Sequence, residues 1–186
     1  MEVIKVSDKK AINLALKTLN DGGVVVCPTD TVYGFLVLAE NKKAVKKIFK
    51  IKKRPKSKPL AIFVFSMKQA KEIAEINNVQ EKILKKYWPG KYTFVLKSKE
   101  KDGTIAMRIP KYKFLNNLLK KINKPLAQTS VNISGQPELK KIKEIISVFE
   151  NQKNQPDLII DEGNLPKSRP STIIDLSKDN IKTLRK

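Results

Sequence analysis

Four arginines are the residues of this sequence whose chemistry is most specific, because almost all of its other basic residues are lysines. A guanidinium group grips a carboxylate or a phosphate through two parallel hydrogen bonds, whereas a lysine ammonium acts as a point charge. Arginine is therefore expected where the two-bond geometry is needed, with chance placement as the alternative. Among the 39 lysines and arginines, the arginines are Arg54, Arg108, Arg169 and Arg185.

Two polar segments and one basic loop could together line a small-molecule site. The segments PTDTVYG (28–34) and SVNISG (130–135) place hydroxyl and amide side chains beside glycine, directly after apolar stretches. Each segment alone is typical of a turn, because Ser, Thr, Asn, Asp and Gly all favour bends of the chain. Together with the basic loop KKRPKSKP (52–59), they are typical of the polar lining of a cleft.

The composition excludes several kinds of catalytic site. The chain contains no histidine and a single cysteine, Cys27. This rules out Ser–His and Cys–His nucleophile pairs, an internal disulfide and a multi-cysteine zinc site. Neither a G-x-x-x-x-G-K phosphate loop nor a G-x-G-x-x-G motif occurs. An enzyme of this composition works by positioning and electrostatics, or with carboxylates and lysines.

The formal net charge of +21 has two interpretations that the sequence leaves open. One is a polyanionic partner, RNA above all, held by a salt-sensitive attraction. The other is a lysine-rich composition spread over solvated faces, since the lysines are scattered along the whole chain. A non-enzymatic RNA-binding protein is therefore one functional hypothesis.

Hydrophobic periodicity predicts alternating strands and helices, which is typical of an α/β domain whose helices cover a sheet. In such folds, ligands are expected at loops beyond the strand ends. No apolar run approaches the ~18 residues of a membrane span, and the first residues lack a signal-peptide pattern, so one cytoplasmic domain over residues 1–186 is expected. The predicted strands are 2–6, 24–28, 60–65, 92–98, 104–110, 125–131, 157–161, 171–176 and 181–185, and the predicted helices are 8–20, 41–52, 67–76, 79–88, 112–122 and 138–150.

A series of motifs in one order carries a resemblance to a known family. The motifs are CPTDTVYGF, KIKKRPKSKPLAIFV, YWPGKYTFVLK, TIAMRIP, TSVNISG and PSTIIDL. In this order the chain resembles the YrdC/TsaC family of threonylcarbamoyl-AMP synthases, in its short single-domain form, from about residue 8 to the C-terminus. The paired signature of that family is K-x-R and S-x-N, which here spans Lys52 to Arg54 and Ser130 to Asn132. The resemblance implies a YrdC-like α/β fold with helices packed on a twisted mixed sheet and a deep basic cleft.

The resemblance also implies a reaction, in which L-threonine, bicarbonate and ATP form threonylcarbamoyl-AMP and pyrophosphate. The threonine amine first gains CO2, and the carbamate oxygen then attacks the α-phosphorus of ATP, so no protein nucleophile is required. Mg²⁺ at the triphosphate is implied as well. A partner transferase then modifies an adenosine beside the anticodon of tRNAs reading codons that begin with adenine, and the resemblance allows direct binding of tRNA or double-stranded RNA.

The family pattern implies roles for individual residues. The implied catalytic residues are Lys52, Arg54, Ser130 and Asn132. The implied ATP ligands are these four together with Lys58, Thr104 and Arg185, and the implied threonine ligands are Thr31, Arg108 and Ser171. No protein ligand for a metal is assigned.

Some positions depart from the family pattern or lie outside it. Many members have Asn where this chain has Lys58, and many have His near Phe63, whose ring cannot hydrogen-bond threonine. Asp30 could help to hold Mg²⁺, but an Asx-type turn is the favoured interpretation. Arg169 has no implied role beyond a surface ion pair. A third functional hypothesis is a carbamoyl-adenylate-forming relative, similar to a domain of hydrogenase-maturation proteins, but no zinc-finger or acylphosphatase segment accompanies it here.

Overall fold

The computed structural model describes residues 1–100, 102–178 and 180–186, whose strands form one ten-stranded sheet. The strands are β1 (Glu2–Lys5), β2 (Val25–Cys27), β3 (Gly34–Leu38), β4 (Ala61–Phe63), β5 (Tyr92–Lys97), β6 (Thr104–Arg108), β7 (Leu126–Ser130), β8 (Leu158–Asp161), β9 (Thr172–Asp175) and β10 (Lys182–Arg185). The helices are α1 (Ala11–Asn20), α2 (Lys42–Lys52), α3 (Met67–Ile73), α4 (Asn78–Tyr87), α5 (Lys113–Ile122) and α6 (Ile142–Phe149). Within the described residues, no helix combines the length and apolar character needed to cross a membrane.

The sheet is mixed, and its strand order differs from the chain order. The strands lie side by side in the order β1-β8-β2-β3-β7-β4-β6-β5-β9-β10. The pairs β1–β8, β2–β8, β4–β6 and β5–β9 are parallel. The remaining neighbours are antiparallel. The predicted α/β architecture with a mixed sheet is therefore confirmed.

Helices cover both faces of the sheet, so the central strands bury both sets of their side chains. Successive side chains of a strand point to opposite faces. In β3, Leu36 and Leu38 pack with α1 and α5, whereas Phe35 and Val37 pack with α2 and α6. A third cluster packs β5 and β6 against α3 and α4. This double burial explains why several strands are uninterrupted apolar runs in the sequence.

Strand β3 is the element that the sequence analysis missed. Its first residue, Gly34, is the last residue of the polar segment 28–34, and the turn chemistry of that segment concealed a five-residue buried strand. Two helices also begin later than predicted. Helix α1 begins at Ala11 instead of residue 8, because the Asp8 carboxylate accepts the Lys10 N–H and holds a turn ahead of the helix. Helix α6 begins at Ile142 instead of residue 138.

At the end of helix α2, the conformation of Lys53 makes the chain turn, so Lys52 and Arg54 lie in different surroundings. Lys53 has a φ of 50° and a ψ of 42°, the left-handed conformation that residues with a Cβ rarely adopt. The backbone N–H groups of Lys53 and Arg54 donate to the carbonyls of Lys50 and Phe49, a bonding pattern that commonly ends helices. Lys52 therefore stays on the buried face of the helix, while Arg54 begins the following loop.

We expect Lys53→Gly to raise the free energy of unfolding by about 1 kcal/mol, because glycine adopts the left-handed conformation without a Cβ clash. Urea denaturation measures this change. The matched control is Lys50→Gly, an exposed position inside the same helix, which should lower the free energy of unfolding by about 1 kcal/mol. Equal destabilisation by both substitutions would contradict the left-handed helix end.

Candidate active site

A cavity with about 790 Å³ of empty space, part of it open to solvent, lies against one face of the sheet. Alternate residues of a strand share a face, and alternate residues of neighbouring strands form one wall. These are Ala61 and Phe63 of β4, Ala106 and Arg108 of β6, and Gln128 and Ser130 of β7. The sequence analysis placed ligands at loops beyond the strand ends. In the structure such loops, including residues 29–34 and 170–171, complete a cavity whose main wall is the sheet itself.

Three of the four arginines line this cavity from distant parts of the chain. Arg54 comes from the loop after α2, Arg108 from the end of β6 and Arg185 from β10. Arg169 is exposed and does not line the cavity. Burial lowers the pKa of each of the three lining guanidinium groups, and the charge of Arg185 lowers that of Arg108 further. The three guanidinium groups therefore lose part of their hydration where they line the cavity.

Arg108 is fixed on three sides and its side chain is 3 % exposed. Its Nε donates to the Gly90 carbonyl at 2.8 Å and its Nη1 to Thr31 Oγ1 at 3.3 Å. Its Nη2 donates to the Asp30 carboxylate. The guanidinium carbon also lies 5.7 Å from the centroid of the Phe63 ring, within cation–π range. A guanidinium has five N–H groups, so two remain for a ligand in the cavity.

Asp30 is the counterion of Arg108 and does not form the predicted Asx-type turn. One carboxylate oxygen accepts from Arg108, and the other accepts from the backbone N–H of Lys111 at 3.1 Å. The turn is made by Thr29 instead, whose Oγ1 accepts the N–H of Thr31 at 3.0 Å and donates to the Val32 carbonyl at 2.7 Å. Thr29 thereby places the hydroxyl of Thr31 in the wall of the cavity.

Arg185 and Ser171 meet at the opposite side of the cavity from β7. The Nε and Nη2 of Arg185 donate to the Ser171 carbonyl at 3.0 and 2.8 Å. The Ser171 hydroxyl lies 2.8 Å from that of Thr93, in a buried pair. Ser168 connects this region to the Thr29 turn, because its hydroxyl donates to the Thr31 carbonyl. The segment between β8 and β9 therefore contributes to the cavity wall beside the predicted threonine ligands Thr31 and Ser171.

Arg54 holds its own loop as well as facing the cavity. Its Nε donates to the Lys58 carbonyl at 2.8 Å and its Nη2 to the Pro59 carbonyl at 3.1 Å. These bonds use two of the five N–H groups. The Lys58 side chain is exposed and is not part of the cavity wall, so the structure brings the backbone of Lys58, and not its ammonium, to the site.

Lys52 lies beneath the cavity instead of lining it, and its side chain is among the largest that are fully buried. Its Nζ donates to the Ser130 carbonyl at 2.5 Å, the Asn132 carbonyl at 2.9 Å and Asn132 Oδ1 at 2.7 Å. These acceptors match the three N–H groups of an ammonium. The prediction that Lys52 contacts ATP phosphates is therefore not met in this structure, because no N–H of its ammonium is left for a ligand.

Burial lowers the pKa of Lys52 to about 7, with the charge of Arg54 acting in the same direction and that of Glu138 in the other. Desolvation is the larger effect, because a buried ammonium loses its hydration shell. The carbonyl and amide oxygens around Nζ replace part of that shell. Lys52 is thus a buried cation that ties the end of α2 to the end of β7.

Two side chains stabilise the S-x-N segment. Lys52 donates to its oxygens, and the amide of Asn132 forms hydrogen bonds within the segment and to the residues that follow it. Asn132 is buried, and its Nδ2 donates to the carbonyls of Ile133 and Gln136 at 3.0 and 2.6 Å. Its Oδ1 accepts from the Ser130 hydroxyl at 2.8 Å. Ser130 lines the cavity, whereas Asn132 does not. Asn132 therefore orients the hydroxyl that faces the ligand space.

The structure brings most of the predicted site residues into one place. Those that line the cavity are Thr31, Arg54, Arg108, Ser130, Ser171 and Arg185. Lys52 and Asn132 support them from beneath. Thr104 is exposed at the start of β6 and borders a separate depression with Lys97 and Ser98, although it shares its strand face with Ala106 and Arg108.

Several contributors to the site were not predicted in the roles they have, and all of them are long-range partners of predicted residues. They are Asp30 as the counterion of Arg108, the Gly90 carbonyl on its Nε, the Phe63 ring beneath it and the Thr93 hydroxyl beside Ser171. The sequence drew attention to two of them, Asp30 as a lone carboxylate in a polar segment and Phe63 as a departure from the family pattern, and gave no signal for the other two.

The donor set of the cavity does not suit a resident metal ion. Neither aspartate nor glutamate is part of its wall, and the Asp30 carboxylate is engaged by Arg108. Among the described residues there is also no group of three or more His, Cys, Asp or Glu side chains placed to hold a metal. Hard divalent cations such as Mg²⁺ prefer carboxylate oxygens, which this wall does not offer.

The model of the Sua5/YciO/YrdC family, described as "Telomere recombination", matches residues 17–186. The chain belongs to the Sua5/YciO/YrdC family. A relative from Methanocaldococcus jannaschii, named "Putative threonylcarbamoyl-AMP synthase", is 36% identical over 95% of this chain and 86% of its own length. The family predicted from the ordered motifs is thereby confirmed.

Solved structures of family members share the fold. Sua5 of P. abyssi, described as complexed with L-threonine, matches with a TM-score of 0.90 and 32% identity over 100% of this chain. This chain covers only 57% of that protein. E. coli YciO matches with a TM-score of 0.87 and 28% identity over 99% of this chain and 92% of its own. The predicted YrdC-like fold, with a large twisted sheet and packed helices, is confirmed.

We expect Lys52→Met to lower the free energy of unfolding by about 2–3 kcal/mol, because buried oxygens lose their donor. Urea denaturation at several pH values measures the effect. Folded Lys52 loses its proton near pH 7, whereas the unfolded side chain keeps it up to its ordinary pKa of 10.5. The folded protein thus binds fewer protons in this interval, so the stability of the wild type relative to Lys52→Met should rise as the pH increases above 7.

Lys50→Met is the matched control, because Lys50 is an exposed lysine of the same helix. Its stability relative to the wild type should not change over the same pH interval. A pH-independent difference between the wild type and Lys52→Met would contradict the lowered pKa of Lys52.

Proposed function

We propose that this chain is a threonylcarbamoyl-AMP synthase that converts L-threonine, bicarbonate and ATP into threonylcarbamoyl-AMP and pyrophosphate. The observation that carries the proposal is the convergence of Arg54, Arg108 and Arg185 with the Ser130 hydroxyl on one cavity. Two anionic reactants, a carbamate and a triphosphate, repel each other unless cations lie between and around them. The relatives that carry the synthase name support the same activity.

The threonine site is the part of the cavity around Arg108. The two remaining N–H groups of Arg108 suit a ligand carboxylate, since a guanidinium binds such a group through a fork of bonds. Thr31 and Ser171 present hydroxyl groups to the same space. Phe63 lies under the guanidinium, so this pocket supplies an apolar surface where many relatives supply histidine.

The nucleotide site extends from Arg54 past Ser130 to Arg185. Arg54 lies on a loop that its own guanidinium stabilises, so the cation is held in place before a phosphate arrives. Lys58 on that loop and Thr104 on the shared face of β6 are the outer ATP ligands of the proposal. Lys52 and Asn132, predicted as direct ligands, act in this proposal as positioning residues for Ser130.

The chemistry needs no covalent bond to the protein. Bicarbonate supplies CO2 and releases hydroxide. The deprotonated threonine nitrogen attacks the CO2 to form a carbamate, and the proton it releases joins the hydroxide to form water. A carbamate oxygen then bonds to the α-phosphorus of ATP, and the bond from that phosphorus to the bridging oxygen of pyrophosphate breaks. The side chains align the two reactants and offset the charge that builds up at phosphorus, which together can supply most of a rate enhancement.

Mg²⁺ enters this proposal as part of the nucleotide substrate. Its ligands are phosphate oxygens and water, in line with its preference for retaining water in nucleotide sites. The proposal assigns it no ligand from the protein.

The product is proposed to serve the modification of tRNA adenosine beside the anticodon, by a separate transferase. The net charge of +21 supports a direct, salt-sensitive attraction to tRNA or double-stranded RNA. We further propose that residues 1–186 act as one domain, since a single sheet includes strands from both ends of the chain.

The first test is a synthesis assay with ATP, L-threonine and bicarbonate, in which mass spectrometry detects threonylcarbamoyl-AMP and a coupled assay detects pyrophosphate. We expect both products only when all three substrates are present. Pyrophosphate release that is unchanged without threonine and bicarbonate would overturn the proposal. Tight RNA binding without nucleotide turnover would support the RNA-binding hypothesis, and product formation from carbamoyl phosphate would support the carbamoyl-adenylate hypothesis.

We expect Arg54→Lys to lower kcat/KM for ATP by about 10- to 100-fold, because each charge-assisted hydrogen bond of the fork contributes roughly 1.5–3 kcal/mol. Steady-state kinetics with varied ATP measure the change. Arg169→Lys is the matched control, since Arg169 is exposed and outside the cavity wall, and it should behave as the wild type. A wild-type kcat/KM in Arg54→Lys would show that charge alone suffices at this position.

A further inference from the structure

The three guanidinium groups of the cavity differ in how they are neutralised. Arg108 forms an ion pair with Asp30, and both side chains are buried, with exposures of 3 % and 8 %. Arg54 and Arg185 donate to carbonyl and hydroxyl oxygens. Within the described residues, neither of the two forms an ion pair with a carboxylate. Glu138 influences Arg185 only by its more distant charge.

Asp30 lies behind Arg108 and not in the cavity wall. Arg108 is part of the lining, whereas Asp30 is not. The second oxygen of Asp30 accepts from the Lys111 backbone, which fixes the carboxylate in this rear position. Asp30 can therefore influence a ligand through its charge and through Arg108, but it does not contact the ligand itself.

We propose that Asp30 is a specificity-determining counterion, which reserves Arg108 for zwitterionic amino acids and leaves phosphate groups to Arg54 and Arg185. The inference rests on the proposed function, because it assumes that the amino acid carboxylate binds Arg108. Asp30 offsets the charge of Arg108, whereas Arg54 and Arg185 have no such carboxylate partner among the described residues. The three guanidinium groups therefore differ in net charge, even though Arg185 lies close enough to Arg108 to act on it, and the two substrates are sorted by this difference before any reaction.

Coulomb's law gives the size of this sorting. A ligand anion on the free side of Arg108 lies about 6 Å from the Asp30 carboxylate, and at an effective dielectric of about 20 each ligand charge is disfavoured roughly 100-fold. A phosphate dianion experiences this repulsion twice. In a zwitterion, the ammonium next to the carboxylate is attracted to Asp30 and offsets most of the repulsion. Threonine therefore keeps its affinity while simple anions lose theirs.

The test compares the wild type with Asp30→Asn, an isosteric change that can keep the hydrogen bond to Arg108 and removes the charge. Product formation is followed by mass spectrometry with threonine varied, at constant ionic strength. The competitors are inorganic phosphate and 3-hydroxybutanoate, which has the threonine skeleton without its amino group. We expect the inhibition constants of both against threonine to fall at least 10-fold in Asp30→Asn, with the larger fall for phosphate, and KM for threonine to change less than about 3-fold.

Two control variants separate charge from structure. Asp157→Asn removes the charge of another hydrogen-bonded carboxylate, which is half-buried, binds Lys47 and the backbone N–H of Val24 and does not belong to the cavity wall. It should lower the melting temperature without changing either inhibition constant. Asp30→Glu retains the charge and should retain the exclusion of both anions. A positioning role without charge would instead raise KM for threonine in Asp30→Asn and leave the inhibition constants of the anions unchanged or higher.

The wild type provides a test that does not depend on the folding of any variant. In the wild type, we expect phosphate to compete with ATP at concentrations at least 10-fold below those at which it competes with threonine. Competition of phosphate with threonine at similar concentrations in the wild type would overturn the inference, as would unchanged inhibition constants in a folded Asp30→Asn protein. A wild-type protein that forms no threonylcarbamoyl-AMP without inhibitors would overturn the proposed function instead.

Discussion

The site depends on one buried ammonium. Lys52 connects the last turn of α2 to the end of β7 through hydrogen bonds to three oxygens. In the described hydrogen bonds, no other cationic side chain donates to these oxygens. Removing such a group leaves buried acceptors without a donor, which is costlier than losing a solvated contact. The position of Ser130 on the cavity and the departure of the Arg54 loop from α2 both follow from this connection.

The arginines show how much of the site can be predicted from the sequence. Arginine in a lysine-rich chain marked three residues that line one cavity, although they are far apart in sequence. The ordered motifs identified the family and with it the fold. The arginine positions and the ordered motifs are both patterns of residue identity, which can be read directly from a sequence. The helical cover of a sheet and most strands also followed from local periodicity, whereas the mixed character of the sheet was implied by the family resemblance.

What the sequence could not supply were the directions of side chains and the long-range pairs. Lys52 lies on the buried face because it is still part of helix α2, and Arg54 leaves that face because Lys53 has a left-handed conformation, which lysine does not signal. The pairing of Asp30 with Arg108 joins residues 78 positions apart, and no local pattern records it. Strand β3 was hidden because it begins within the polar segment 28–34, whose residues are typical of a turn.

Arg185 has a practical consequence for anyone who handles this protein. It reaches the cavity from an edge strand whose residues are exposed, and that strand contributes no residue to the hydrophobic clusters of the described chain. Proteolytic cleavage ahead of β10 would therefore remove one cation of the cavity and leave the hydrophobic clusters untouched. Circular dichroism would report such a preparation as intact, so the exact mass of the chain is the quality check that protects any activity measurement.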